Sequence, residues 1–295
     1  MRQDFINYIA REKRYSKHTI ISYETDLKQF QEFLLTQYHI DDIRNADHHL
    51  VRSWLVFLFQ NNKSVSSINR KISSLKSFYK YLIREGHTDT NPMLKVTSPK
   101  SGTKVPEFVK EKDMELLLQN TDFGNDFEGV RNKLIIETFY STGVRISELI
   151  NINIQDINLE EKTVKILGKR NKERLTPLSA YLVNSIKNYL FIRDNICAEN
   201  NITLPYLFVT KQGKQTYSKL VYRIINKYLS YVSSNTKKSP HTLRHSFATV
   251  MLNKGAELNS IKEILGHSSL AATQIYTHNS IEKLKTIYKQ AHPRA

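Results

Sequence analysis

The sequence predicts a mainly α-helical protein: an N-terminal four-helix bundle domain, then a mainly helical C-terminal domain with a small antiparallel β-sheet. Three observations predict it. Apolar residues recur at spacings of three and four through most of the 295 residues. Strand-like runs are confined to two short segments on either side of residue 170. The stretch NPMLKVTSPKSGTKVPEF, residues 91–108, is rich in proline, lysine and small polar residues and reads as an extended basic linker.

The elements follow in order. Residues 2–13 suit a short first helix. Ser16 can cap a second helix carrying Ile20, Tyr23, Leu27, Phe30 and Leu34. Leu50, Trp54, Phe57 and Leu58 mark a third. Ile68, Ile72, Leu75, Tyr79 and Leu82 mark a fourth, with Gly86 as its C-cap. Domain boundaries are expected at 1–98, a linker over 99–108, and 109–295. In the second part, residues 126–141 read as a helix. TVKIL (163–167) and ERLTPL (173–178) read as strands joined by the turn GKRNK. Helical patterns then cover 179–195, 218–231, 241–254, 260–265, 270–277 and 280–290.

Composition narrows the function. The formal net charge is +16, from 44 basic and 28 acidic residues. Both parts share it: residues 1–98 hold 15 basic and 10 acidic side chains. A polyanion is the natural partner, because neutralising phosphates releases counterions and drives binding. Two basic lobes suit a clamp on a duplex. The fourth helix carries Arg70, Lys71, Lys76, Lys80 and Arg84, and the first four of these are candidate DNA contacts. No uncharged apolar run reaches transmembrane length, and the N-terminus lacks a signal-peptide apolar core. With the single cysteine, Cys197, a cytoplasmic protein without disulfides is expected.

The densest chemistry lies in HTLRH, residues 241–245. His241 and His245 have the spacing of zinc-binding helices, but Thr242 stands where a metalloprotease helix needs glutamate. Arg244 would also set a positive charge beside a metal. An arginine between imidazoles suits an anion, since a guanidinium forks onto two phosphate oxygens. On a helix, Leu243, Phe247, Val250 and Met251 form the core stripe. His241, Arg244, His245 and Ala248 are expected to face away from it, toward a groove or a neighbouring element. Further cations precede and follow: Arg145 after a Gly-containing turn, Lys169 at the hairpin tip, and His267 after Gly266. Tyr276 comes nine residues after His267.

Five segments, TGVRISEL, GKRNKERLTPL, HTLRHSFAT, LGHSSLAATQIYTH and AHPRA, stand in order along the chain. Together they resemble the tyrosine recombinase, or phage-integrase, family, near its Xer branch, and the resemblance extends into the helical N-terminal part. It implies a catalytic set of Arg145, Lys169, His241, Arg244, His267 and Tyr276. Tyr276 would be the nucleophile that joins the 3′-phosphate of a cut strand. His245, Glu148 and Lys172 would support it, with Glu148 orienting an arginine. The family hairpin usually reads GKG, whereas Arg170 follows Lys169 here and adds a possible phosphate contact. Lys169 and Lys172 both stand as candidates for the proton donor. No metal or other cofactor is implied.

The implied partners are double-stranded DNA with a dif-like site, a homo- or hetero-tetramer with a second Xer recombinase, and the FtsK translocase. An integrase or resolvase of a mobile element and a type IB topoisomerase-like enzyme are the alternatives. Ile281, Leu284, Ile287 and Tyr288 form a stripe beyond Tyr276. The resemblance implies that this stripe docks on the next protomer; packing on its own domain is the other reading.

Overall fold

Side-chain caps start most of the N-terminal helices. In the computed structural model, helix α1 spans Arg2–Arg11. Ser16 accepts from Thr19 N and opens α2, Lys17–Tyr38. Asp47 accepts from Leu50 N and opens α3, His48–Gln60. Ser64 accepts from Ser67 N and opens α4, Val65–Arg84. Each such cap satisfies a backbone donor that the helix itself cannot. Gly86, with φ +70°, lets the chain leave α4, and His87 N reaches back to Leu82 O at 2.8 Å. The structure describes residues 1–100, 102, 107–168, 172–199, 202–232, 238–266 and 278–294.

The chain divides into two units, Met1–Lys104 and Val105–Ala295. In the first, Phe5, Ile9, Leu27, Phe30, Trp54, Ile72, Phe78 and Leu82 are buried together. Met93 and Val96 join this core, and Asn69 donates to Pro99 O at 3.0 Å. The segment up to Pro99 therefore packs with the helices, although its composition reads as linker.

The second unit opens with α5, Glu111–Asn120, a helix the sequence pattern did not single out. Then come α6, Phe127–Thr142, and the one-turn α7, Ile146–Leu149. Strands β1, Ile157–Asn158, β2, Thr163–Leu167, and β3, Glu173–Pro177, form an antiparallel sheet in the order β1-β2-β3. The remaining helices are α8, Ala180–Glu199, α9, Ser218–Val232, α10, Pro240–Asn253, α11, Leu258–Leu265, and α12, His278–Ala291. The helix expected over 270–277 lies outside the described residues.

Helix α6 is the axis of this unit. Its Leu134, Ile135, Ile136, Phe139 and Tyr140 are buried on different sides, and it packs against both α8 and α10. A helix buried all round shows no single apolar face. Register decides the sheet's inner face. Ile166 lies opposite Arg174 and Val164 opposite Thr176, and all four are buried. The strand ERLTP thus turns its arginine inward, while Leu175 is only partly covered.

The α12 stripe packs on its own unit. Leu284, Tyr288 and Ala291 are buried with Phe247, Met251, Ile264 and Leu265. Tyr288 stacks on His292 at 4.8 Å between ring centroids, and the His292 ring reaches Tyr140 O at 3.2 Å. In the single chain the stripe thus covers its own domain, the second of the two readings. An apolar face with no partner present gains most by covering the nearest open core.

Candidate active site

The site is built where α6, α7, β3, α10 and α11 end or begin. Helix α6 stops at Gly143, φ +60°. A Cβ there would lie 2.6 Å from Leu265 Cδ2 and 2.7 Å from Phe247 Cδ1, so only glycine fits this turn. Two residues on, Arg145 caps α7. Its N–H donates to Glu148 Oε2 at 2.8 Å, and its Nη1 donates to Glu148 Oε1 at 2.6 Å. The Arg145 side chain keeps 30% of its surface exposed, so it can still meet a ligand.

Glu148 is buried and has a second partner, Arg174. Nη1 of Arg174 donates to Oε1 at 3.2 Å and Nη2 to Oε2 at 2.7 Å. Burial pushes the Glu148 carboxyl up, but hydrogen bonds and charge from Arg174, with bonds from Arg145, outweigh it and hold it at about 2. Glu148 is thus a fixed anion that orients the guanidinium groups of Arg145 and Arg174.

Of the two surroundings expected for Arg244, a groove or a neighbouring element, the structure shows the second: it is buried, with 8% of its surface exposed. Nη1 donates to Gly143 O at 2.5 Å and Nη2 to Leu265 O at 2.7 Å. The long side chain carries its charge to carbonyl groups that its Cα position does not reveal. Burial, then the charge of Arg145, pulls the guanidinium down to about 10, which leaves it protonated at neutral pH.

The arginines converge on one helix end. Arg174 Nε donates to Ile264 O at 2.8 Å, Arg244 to Leu265 O, and Arg145 Nη2 approaches Gly266 O at 3.5 Å. Three successive carbonyls at the C-terminus of α11 therefore each face a different guanidinium. Those carbonyls lack helical partners and carry the negative end of the helix dipole. Three guanidinium groups thus meet at one helix end, and the part-exposed Arg145 among them can fork onto an anion.

The other predicted residues are placed as follows. His241 is exposed on the first turn of α10, and His245 is half-buried with its ring 6.4 Å from that of Phe108. Lys172 is exposed, and its carbonyl accepts from Gly168 N at 2.8 Å, closing the hairpin. Lys169, Arg170, His267 and Tyr276 lie outside the described residues. Among the described residues, no three His, Cys, Asp or Glu side chains gather as a metal-binding group.

On α4, Lys76 and Lys80 are exposed. Arg70 is partly exposed and paired with Asp26. Lys71 is a correction. It is buried, donating to Asp26 Oδ1 at 2.9 Å and to Gln29 Oε1 at 2.5 Å, with its ammonium 5.6 Å from the Trp54 ring centre. It neutralises a carboxylate in the bundle and does not present its charge to a duplex.

Arg174 is the residue that sequence reasoning missed. A period-two reading of ERLTPL places Leu175 inward and the arginine in solvent. The available signal was the buried Glu148, which needs more than one cation.

The Phage integrase family model matches residues 107–283, and that of the phage integrase N-terminal SAM-like domain matches residues 3–86. The chain is 36% identical over 294 residues to a tyrosine recombinase XerC of Halalkalibacterium halodurans, covering 99% of this chain and 96% of the relative. It is 37% identical over 292 residues to a tyrosine recombinase XerC of Anoxybacillus flavithermus, covering 99% and 97%. Its fold is similar to that of the XerH site-specific recombinase bound to palindromic difH substrate. There the TM-score is 0.73 at 22% identity, covering 97% of this chain and 83% of that one. A lambda integrase dimer bound to a core site gives a TM-score of 0.67 at 16% identity, covering 93% and 99%. With family models matched in both units and identity above one third over the whole length, this chain belongs to the phage integrase family and is a Xer-type tyrosine recombinase, a site-specific DNA recombinase.

Proposed function

We propose that Tyr276 attacks the scissile phosphate of a duplex, forming a 3′-phosphotyrosyl link and releasing a 5′-hydroxyl. A strand end from a partner duplex then attacks that link, so the bond energy is conserved and no nucleotide is consumed. The observation that carries this reading is the convergence of Arg145, Arg174 and Arg244 at the C-terminus of α11, with 30% of the Arg145 side chain exposed to a ligand. Arg145 and Arg244 balance charge on the non-bridging oxygens as phosphorus becomes five-coordinate, and His267 adds a hydrogen bond. A free tyrosine, with a pKa near ~10, is ionised at about one part in a thousand at pH 7. His241 accepts its proton. Lys169, or Lys172 three residues further on, gives a proton to the leaving 5′-oxygen.

Residues 1–98 act as the core-DNA-binding domain and 109–295 as the catalytic domain, joined by 99–108. The substrate is a dif-like site in the cytoplasm, bound by a tetramer with further copies or a second Xer recombinase, under an FtsK-type translocase. The names of the full-length relatives and the difH complex of a structural neighbour support this reading over a mobile-element integrase or a type IB topoisomerase.

The test is covalent capture. The protein is incubated with a nicked dif-like duplex and resolved on a denaturing gel. Tyr276→Phe should bind DNA as the wild type does and form no covalent band. A band from the Phe variant would move the nucleophile to another residue.

A further inference from the structure

We propose that Arg174 is a positioning residue for the phosphate-binding Arg145, holding at one point the segment that carries it and the start of the segment that leads to Tyr276. The proposal rests on the recombinase reading for its chemistry, and on contacts for its geometry.

Arg174 touches α7, the end of α11 and the glycine after β2. Its fork holds both oxygens of Glu148, which in turn holds Arg145 by backbone and side chain. Its Nε holds Ile264 O, one residue before the carbonyl that Arg244 holds. It also packs against two glycines. A Cβ on Gly266 would lie 3.0 Å from Arg174 Nη1 and 3.1 Å from Cδ, and Gly266 already has φ +63°. A Cβ on Gly168 would lie 3.5 Å from Nη1 and 3.6 Å from Glu148 Oε1. Gly168 immediately precedes Lys169, and Gly266 immediately precedes His267. One buried guanidinium therefore abuts the last described residue before each of these two segments and orients Arg145 through Glu148.

The side chain is suited to this and not to binding substrate. Only 4% of it is exposed, against 30% for Arg145. Each of its three nitrogens donates to a protein oxygen. Glu148 would otherwise pull on Arg145 alone, and a carboxylate shared between two arginines leaves Arg145 less tightly committed. Lysine offers a point charge and cannot reproduce the planar fork. A shift of about 1 Å in a site of this kind costs roughly a hundredfold in rate.

The experiment compares wild type, Arg174→Lys and Arg174→Ala, the last with and without methylguanidinium. Folding is checked by circular dichroism. DNA affinity and the single-turnover rate of adduct formation at saturating DNA are measured separately. Amide exchange is followed over residues 144–150 and 258–266 without DNA. Arg174→Lys should bind the nicked duplex within about twofold of wild type, cleave roughly a hundredfold more slowly, and exchange faster at both segments. Methylguanidinium should restore part of the rate to Arg174→Ala. A Lys variant that cleaves within threefold of wild type, or that exchanges as wild type does, overturns the proposal. So does a rate loss that tracks lost affinity or lost fold in both variants. If wild type itself gives no adduct, the recombinase chemistry fails, and the exchange data alone decide whether Arg174 holds the two segments.

Discussion

Arg244 and Arg145 separate two uses of the same side chain. Arg244→Ala removes a donor from both Gly143 O and Leu265 O inside the protein. Its loss should slow cleavage about a hundredfold, the effect of losing one oxyanion donor. It should also cost about 2 kcal/mol of stability, because buried carbonyls are left without partners. Arg145→Ala should slow cleavage similarly with a smaller stability loss, since Glu148 keeps its bidentate bond to Arg174. Single-turnover rates and urea melts on both variants test this. Equal stability losses would mean that Arg145 is as structural as Arg244.

Lys71 and its neighbours on α4 divide in the same way. Lys71→Ala leaves Asp26 with Arg70 and Ser74 but strips a buried cation, so it should destabilise the protein with little direct effect on DNA contacts. Lys76→Ala or Lys80→Ala should leave stability unchanged, weaken binding on any sequence, and reduce the salt slope by about one each. The opposite pattern in melts and salt titrations would return Lys71 to the DNA face.

At the scale of elements, α12 closes a small core of its own. Removing residues 280–295 uncovers Phe247, Met251, Ile264 and Leu265, which are buried with it. The truncated protein should melt at lower temperature and lower urea. The same docking should respond to acid. Burial holds His292 down at about 4, below its ordinary 6.5. The unfolded chain takes up that proton first, so the contribution of His292 is complete above about pH 6.5 and is lost as pH falls toward 4. Lys254 and Arg294 add repulsion to the charged form, while the bond to Tyr140 O opposes the shift. Exchange over α12 measured from pH 8 to 5 checks this; His292→Phe should flatten the profile if the imidazole is responsible. A truncation that melts like the full chain would mean that the stripe adds nothing to its own unit.

At the scale of the whole molecule, charge sets the partner. The net +16 is spread over both units, with 15 basic and 10 acidic residues in the first 98. If both units touch phosphates, six to ten contacts would cost roughly 10³ to 10⁵ in affinity between about 50 and 200 mM salt. A flat salt plot would limit contact to one unit. Titrations with the full chain and a nonspecific duplex of equal length decide it.

Much of the architecture was readable before any coordinates. Ser16 and the apolar spacing that follows it mark α2, and Gly86 marks the end of α4, because caps and periodicity act through neighbours along the chain. TVKIL and ERLTPL announced a hairpin, and family motifs marked Arg145, Glu148 and Arg244. What the sequence could not decide depends on register and reach. Pairing Ile166 with Arg174 turns the arginine inward, and a one-residue slip would have exposed it. Lys71 sits at a position whose Cα suggests an open face, yet its long side chain ends in buried partners, and the neighbours that Arg244 meets, Gly143 O and Leu265 O, are far from it in sequence. The α12 stripe was legible as apolar, but what covers it was not, since the covering residues come from α10 and α11. Local rules therefore determined most of the elements. Only the tertiary structure decided which charges are buried together, because burial is set by residues far apart in the chain that must exclude water from the same place.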